Sequence, residues 1–131
     1  MLPVNISVAR SPTTIKKATE RALKFELYQA KFWMFYDLFY RPEAILKTAT
    51  AFHNRKPVGI AVYWDYDKLE EFAHQGYDRQ VGCYVKEDFR RHKVGSQLIE
   101  RIKVPKNAAV GQGLALSREF WAVVKPEAKF Q

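Results

Sequence analysis

The sequence is poor in the residues and patterns that mark several large classes of protein. It has one cysteine, Cys83, in 131 residues, so no intrachain disulfide can form, which fits a reducing compartment. Its three histidines, His53, His74 and His92, have no metal-like spacing to one another or to Cys83, so no metal site is expected. No apolar run approaches a membrane span, and the opening MLPVNISVARSP has no long apolar core of a secretory signal. The expectation is a soluble cytoplasmic protein without a membrane partner. Six glycines form no Walker-type loop, and there is no helix-turn-helix or zinc-ribbon pattern. Acidic residues are scarce, 14 against 22 Lys and Arg, for a net charge of +8. Such a surface attracts polyanions, so nucleic acid, an acidic protein and a phosphorylated cofactor are all open.

What is present suits one domain with a true core, residues 1–131. Hydrophobic residues make up 47% and aromatics 15%, far from a disordered composition. Pro3 to Arg10 alternates, with Val4, Ile6 and Val8 on one side, and reads as a strand. Ser11-Pro12 then gives an N-cap and a first-turn proline, and Ile15, Ala18, Ala22 and Phe25 recur at helical spacing. Tyr28, Phe32, Phe35, Tyr36 and Phe39 form the stripe of a second helix, read chiefly as core, with Trp33, Tyr40 and Asp37 outside it. Ala44 to Asp67 reads as a β-hairpin turning at Asn54-Arg55-Lys56-Pro57. Asp65 to Asp78 reads as a loop whose acidic residues Asp65, Asp67, Glu70 and Glu71 are a solvated turn or an attraction point for a cationic amine. Ala108 to Val110 reads as a short strand, and Leu114 to Val124 as a last helix.

The rest is arranged around Val81 to Arg101, VGCYVKEDFRRHKVGSQLIER. An apolar strand leads through Arg90-Arg91-His92-Lys93 into a helix. The first amides of that helix have no intrahelical acceptor, and the positive end of its dipole points into a basic turn. An anion, most often a phosphate, is the natural ligand there.

This stretch resembles the cofactor-binding motif of the GCN5-related N-acetyltransferases, the GNAT family, in which a strand runs into a loop of the form R/Q-x-x-G-x-G/A. Val85, Phe89, Arg90, Val94, Gly95, Ser96, Leu98 and Ile99 fall in register with it. The first loop glycine is Lys93 here, and a positive φ at that position would carry a steric penalty. The resemblance implies an α/β fold, a single-domain mixed sheet of five or six strands flanked by helices in the order β-α-α-β-β-β-α-β-α. Little chain follows the last helix for the family's closing hairpin. It implies acetyl-CoA as co-substrate, with the pantetheine on Cys83, Tyr84 and Val85 and the pyrophosphate on Arg90, Arg91, His92, Lys93, Val94, Gly95 and Ser96.

The catalytic half of the resemblance is thinner. Where some members carry a glutamate, six residues before Val85, this chain has Arg79 with Asp78 beside it. Asp78 is therefore the candidate base, although strand alternation turns it to the other face unless a bulge intervenes. The family's thiolate-protonating tyrosine is matched by Trp121, and no tyrosine follows Tyr84. The activity implied is acetyl transfer to a primary amine of a small molecule or protein. The alternative is a catalytically degenerate module that binds a partner protein or nucleic acid through its basic surface. Cys83 reads as a buried strand residue, so transfer through it is not expected.

Overall fold

The computed structural model describes residues 3–24, 42–65, 79–105 and 109–110. These form β1 (Asn5–Ala9), α1 (Pro12–Lys24), β2 (Ile45–His53), β3 (Lys56–Asp65), β4 (Arg79–Val85), α2 (Val94–Ile102) and β5 (Ala109–Val110). The strands make one mixed sheet in chain order, β1-β2-β3-β4-β5. The first four are antiparallel, and β5 joins β4 in parallel. The aromatic stripe of 28–39, Asp67 to Asp78 and the expected last helix lie outside the described residues.

Local chemistry accounts for the elements. Ser11 and Thr14 cap α1 reciprocally: the Thr14 amide donates to Ser11 Oγ and the Ser11 amide to Thr14 Oγ1, each at 3.2 Å. Pro12 takes the first helical position, where no amide is needed. The β2–β3 turn is shorter than the sequence implied. Asn54 and Arg55 alone form it, at φ 50° and 66°, the left-handed pair that matches the twist of a two-residue hairpin. Lys56 and Pro57 already belong to β3, opposite His53 and Phe52. Pro57 is tolerated because β4 begins to pair only at Gly59, so no rung needs its missing amide.

Alternation divides the sheet into two faces. Ile6 and Val8 of β1, Ala49 and Ala51 of β2, Ala61 and Tyr63 of β3, and Val81 of β4 share the face that packs on Val94, Leu98, Ile99 and Ile102 of α2. Gly59 lets α2 come this close. A Cβ there would meet Leu98 Cδ1 at 3.1 Å and the Tyr84 carbonyl at 3.3 Å. The C-terminus of α2 is tied down by Lys47, whose Nζ donates to the Ile102 and Lys103 carbonyls at 3.3 and 3.0 Å. The other face carries Ile60, Val62 and Trp64, all wholly buried. α1 lies on that side: Arg21 stacks on Phe52, 4.5 Å from the ring centroid, and Phe52 pairs with Asn5, opposite in alternation to Ile6.

Candidate functional site

β4 is bordered by β3 along its whole length, from Gly59↔Val85 to Asp65↔Arg79. Among the described residues, its other edge pairs with β5 at Gln80↔Ala109 and Val81↔Val110. Cys83 is half-buried on the α2 face. Burial pushes its thiol up to about 12, so the sulfur is neutral at physiological pH and a weak nucleophile. Tyr84 is buried on the opposite face.

Beyond Val85 the chain turns sharply. The Lys86 amide donates to the Val58 carbonyl at 2.9 Å, and a single 3-10 turn, Glu87–Phe89, follows. Arg91 and Lys93 then stand at φ 65° and 61°. The left-handed conformation costs an L-residue about 1–2 kcal/mol, and two such residues flank His92 at the mouth of α2. Alternating handedness of this kind turns successive amides inward as an anion-binding concavity. Lys93 is the N-cap of α2 and gives no side-chain cap, and the first helical bond runs from the Gln97 amide to the Lys93 carbonyl at 3.1 Å. The amides of Val94, Gly95 and Ser96 therefore precede the helical ladder.

The cations of this turn divide by role. Arg90 is folded back: its Nε–H donates to the Val85 carbonyl at 2.8 Å, and its guanidinium lies 5.6 Å from the Tyr84 ring centroid. It braces the turn against β4. Arg91, His92 and Lys93 are exposed, where they can meet phosphate oxygens. An acyl-CoA fits these residues: strand backbone for the pantetheine arm, and a nest of amides ringed by cations for the pyrophosphate.

At the far end of β4, Asp65 is a strand residue and not part of an acidic loop, which corrects the sequence reading. It pairs across the ladder with Arg79, Nε to Oδ2 at 3.6 Å, so its charge is already engaged. The Tyr63 hydroxyl first, and Asp65 second, favour the charged form of Arg79. Asp78 lies outside the described residues. Sequence reasoning missed the Arg79–Asp65 pair and the brace made by Arg90, because both depend on register and turn geometry.

No curated protein sequence matches the chain. Solved structures do. One is an aminoglycoside acetyltransferase from an uncultured soil metagenomic sample in complex with sisomicin, 15% identical, covering 98% of this chain and 91% of that one at a TM-score of 0.52. Another is an aminoglycoside N-acetyltransferase in complex with CoA, 14% identical, covering 98% and 90% at 0.52. A third is a GCN5-related N-acetyltransferase from Ralstonia eutropha JMP134, 10% identical, covering 92% and 90% at 0.50. At such identities the likeness is one of fold. The sequence itself matches the family model "Acetyltransferase (GNAT) family" over residues 13–125, most of its length, and the chain belongs to the GNAT acetyltransferases.

Proposed function

We propose that this chain, as one domain over residues 1–131, transfers an acetyl group from acetyl-CoA to a primary amine of a small molecule or protein. The observation that carries the reading is the doubly left-handed turn that leads from β4 into α2. The backbone of Cys83, Tyr84 and Val85 would hold the pantetheine arm. The amides from Arg91 to Ser96 would hold the pyrophosphate, with the His92 side chain beside them and charge from Arg91 and Lys93. Arg90 serves by keeping the turn in shape.

The bound cofactor supplies an activated acetyl thioester. The chain must then orient the amine and take its proton, since an ammonium cannot attack. We assign that proton transfer to Asp78, directly or through water, and expect Asp78→Asn to lower kcat most near neutral pH. With Cys83 neutral, direct attack by the amine is favoured over a route through the thiol. Amines such as the aminoglycosides bound by fold relatives are the first acceptors to screen.

The test is calorimetric titration with acetyl-CoA of the wild type and of an Arg91→Glu/Gly95→Glu variant, each checked for folding by circular dichroism. Wild-type binding that the folded variant loses supports the reading. A folded wild type that binds no acetyl-CoA overturns it and favours the degenerate module acting through its basic surface.

A further inference from the structure

The tip of the β2–β3 hairpin touches the phosphate turn. His53 is the last residue of β2 and by alternation shares a face with Ala49 and Ala51, the face that packs on α2. Its half-buried ring lies 5.7 Å from the Phe89 ring, centroid to centroid, tilted by 57°. Phe89 packs against the core under α2 and ends the 3-10 turn, its amide donating to the Lys86 carbonyl at 2.9 Å. Two residues later the backbone is left-handed at Arg91. His53 Nδ1 also lies 3.0 Å from the Pro3 carbonyl. A carbonyl only accepts, so Nδ1 carries a proton in this bond and Nε2 is the nitrogen that can gain one.

Histidine is the side chain whose charge changes between about pH 5 and 8. Protonation at Nε2 breaks neither contact. The Nδ1–H donates to Pro3 in both states, and more strongly from an imidazolium, because charge-assisted bonds are the stronger ones. A cation within about 6 Å of an aromatic centroid is also attracted by the ring. The charged neighbours divide evenly. Lys56, opposite His53 in the ladder, and Arg55 oppose the imidazolium; Glu87 and Asp88, which precede Phe89 in the 3-10 turn, favour it. All four are exposed and screened by salt. Arg90 is turned back onto Val85, and Pro3 to Asn5 bring no charge. The imidazolium therefore ties the hairpin tip to the turn more firmly than the neutral ring does. The turn needs such support, because its left-handed residues are strained, and fuller population of the shaped turn raises apparent affinity for an anion.

We propose that His53 is a positioning residue for the phosphate turn, acting through Phe89, and that its protonation strengthens cofactor binding as pH falls. That the ligand of the turn is acetyl-CoA rests on the acetyl-transfer reading; the coupling of His53 to the turn does not.

The experiment compares wild type with His53→Asn, which keeps a nitrogen donor for Pro3 but has no ring and no titrating proton, and repeats the comparison in a Phe89→Leu background, apolar but without a ring. Amide NMR spectra of the free proteins are followed between about pH 8 and about pH 5.5, and acetyl-CoA affinity is measured by calorimetry at both ends. In wild type the amides of Phe89, Arg90 and Arg91 should shift with the midpoint of the His53 ring, and in His53→Asn that shift should be absent. The ratio of wild-type to His53→Asn affinity should rise about two- to fivefold as pH falls across this range. His92, His74 and the cofactor's own phosphates titrate in both proteins and cancel in the ratio. With Phe89→Leu in both proteins the ratio should no longer depend on pH, since the effect passes through that ring. Turn amides that do not respond to His53 overturn the inference. So does an affinity ratio equal at both ends of the range, which leaves His53 a structural contact only, and such a result with acetyl-CoA bound leaves the acetyl-transfer reading standing. Turn amides that titrate with His53 in a protein that binds no acetyl-CoA uphold the coupling while the acetyl-transfer reading fails.

Discussion

Replacing Lys93 by glycine should make the protein more stable and a weaker binder of its cofactor. Lys93 stands at φ 61° as the N-cap of α2 and makes no side-chain capping bond. Relief of the left-handed conformation is worth about 1–2 kcal/mol. The added freedom of glycine in the unfolded chain takes back about 0.5–1 kcal/mol. The net gain is about 0–1.5 kcal/mol, and its midpoint corresponds to about 2–4 °C in Tm for a chain of this size. Against this, an exposed cation beside a phosphate contributes roughly 0.5–1 kcal/mol, so acetyl-CoA affinity should fall about two- to fivefold. The charge term is screened, and the deficit should shrink between about 0.1 M and about 1 M salt as the Debye length drops from ~10 to ~3 Å. Thermal melts and calorimetry at both salt concentrations measure the two effects separately. A drop in Tm would refute the strain argument, and an unchanged affinity at low salt would remove Lys93 from the phosphate turn.

Three other perturbations test the frame around the site. Gly59→Ala places a methyl 3.1 Å from Leu98 Cδ1 and 3.3 Å from the Tyr84 carbonyl; urea unfolding should show a loss of about 1–2 kcal/mol. Lys47→Met removes the one ammonium that donates to both the Ile102 and Lys103 carbonyls at the end of α2 and should cost about 1 kcal/mol in the same assay. The folded Cys83 thiol, pushed up to about 12 from its ordinary 9.0, should be alkylated at pH 8 at least about a hundredfold more slowly than in urea. The sign of the linkage is fixed by that rise: the unfolded state releases the proton first, so the contribution to stability is whole below pH 9 and is lost as pH climbs toward 12. Cys83→Ser should abolish that alkaline loss while leaving turnover intact, and loss of turnover would reinstate a role for the thiol.

Much of the fold was legible because its signals are local. Alternation in Val4, Ile6 and Val8, the Ser11-Pro12 start and the apolar β4 each depend on neighbours within one turn or one pleat, and the strands and helices stand where these signals put them. The turn residues of the hairpin were also visible, but the strand boundary was not. Pro57 looks like turn chemistry until one sees that β4 does not reach it. Asp65 failed for the same kind of reason. In sequence it opens an acidic run, yet register sets it opposite Arg79. Gln80 carried no local signal, and only the tertiary arrangement buries it.

The departure from the family pattern in the cofactor loop carries a physical answer. A lysine in place of the loop glycine implied either a different loop or a strained one, and sequence does not choose between them. The backbone at Lys93 is left-handed, as a glycine's would be, and Arg91 shares the strain. Strain at two exposed cations persists only where the surroundings enforce it. Here the enforcement comes from a local brace, Arg90 reaching back to Val85, and from contacts distant in sequence: Val58 accepting from the Lys86 amide, and Val94 and Leu98 buried against the sheet. With the strand end and the helix start both fixed, the short link between them has few conformations left. Lys93 holds a conformation that glycine favours because the strand and the helix impose it, and the lysine adds a positive charge where an anion would bind.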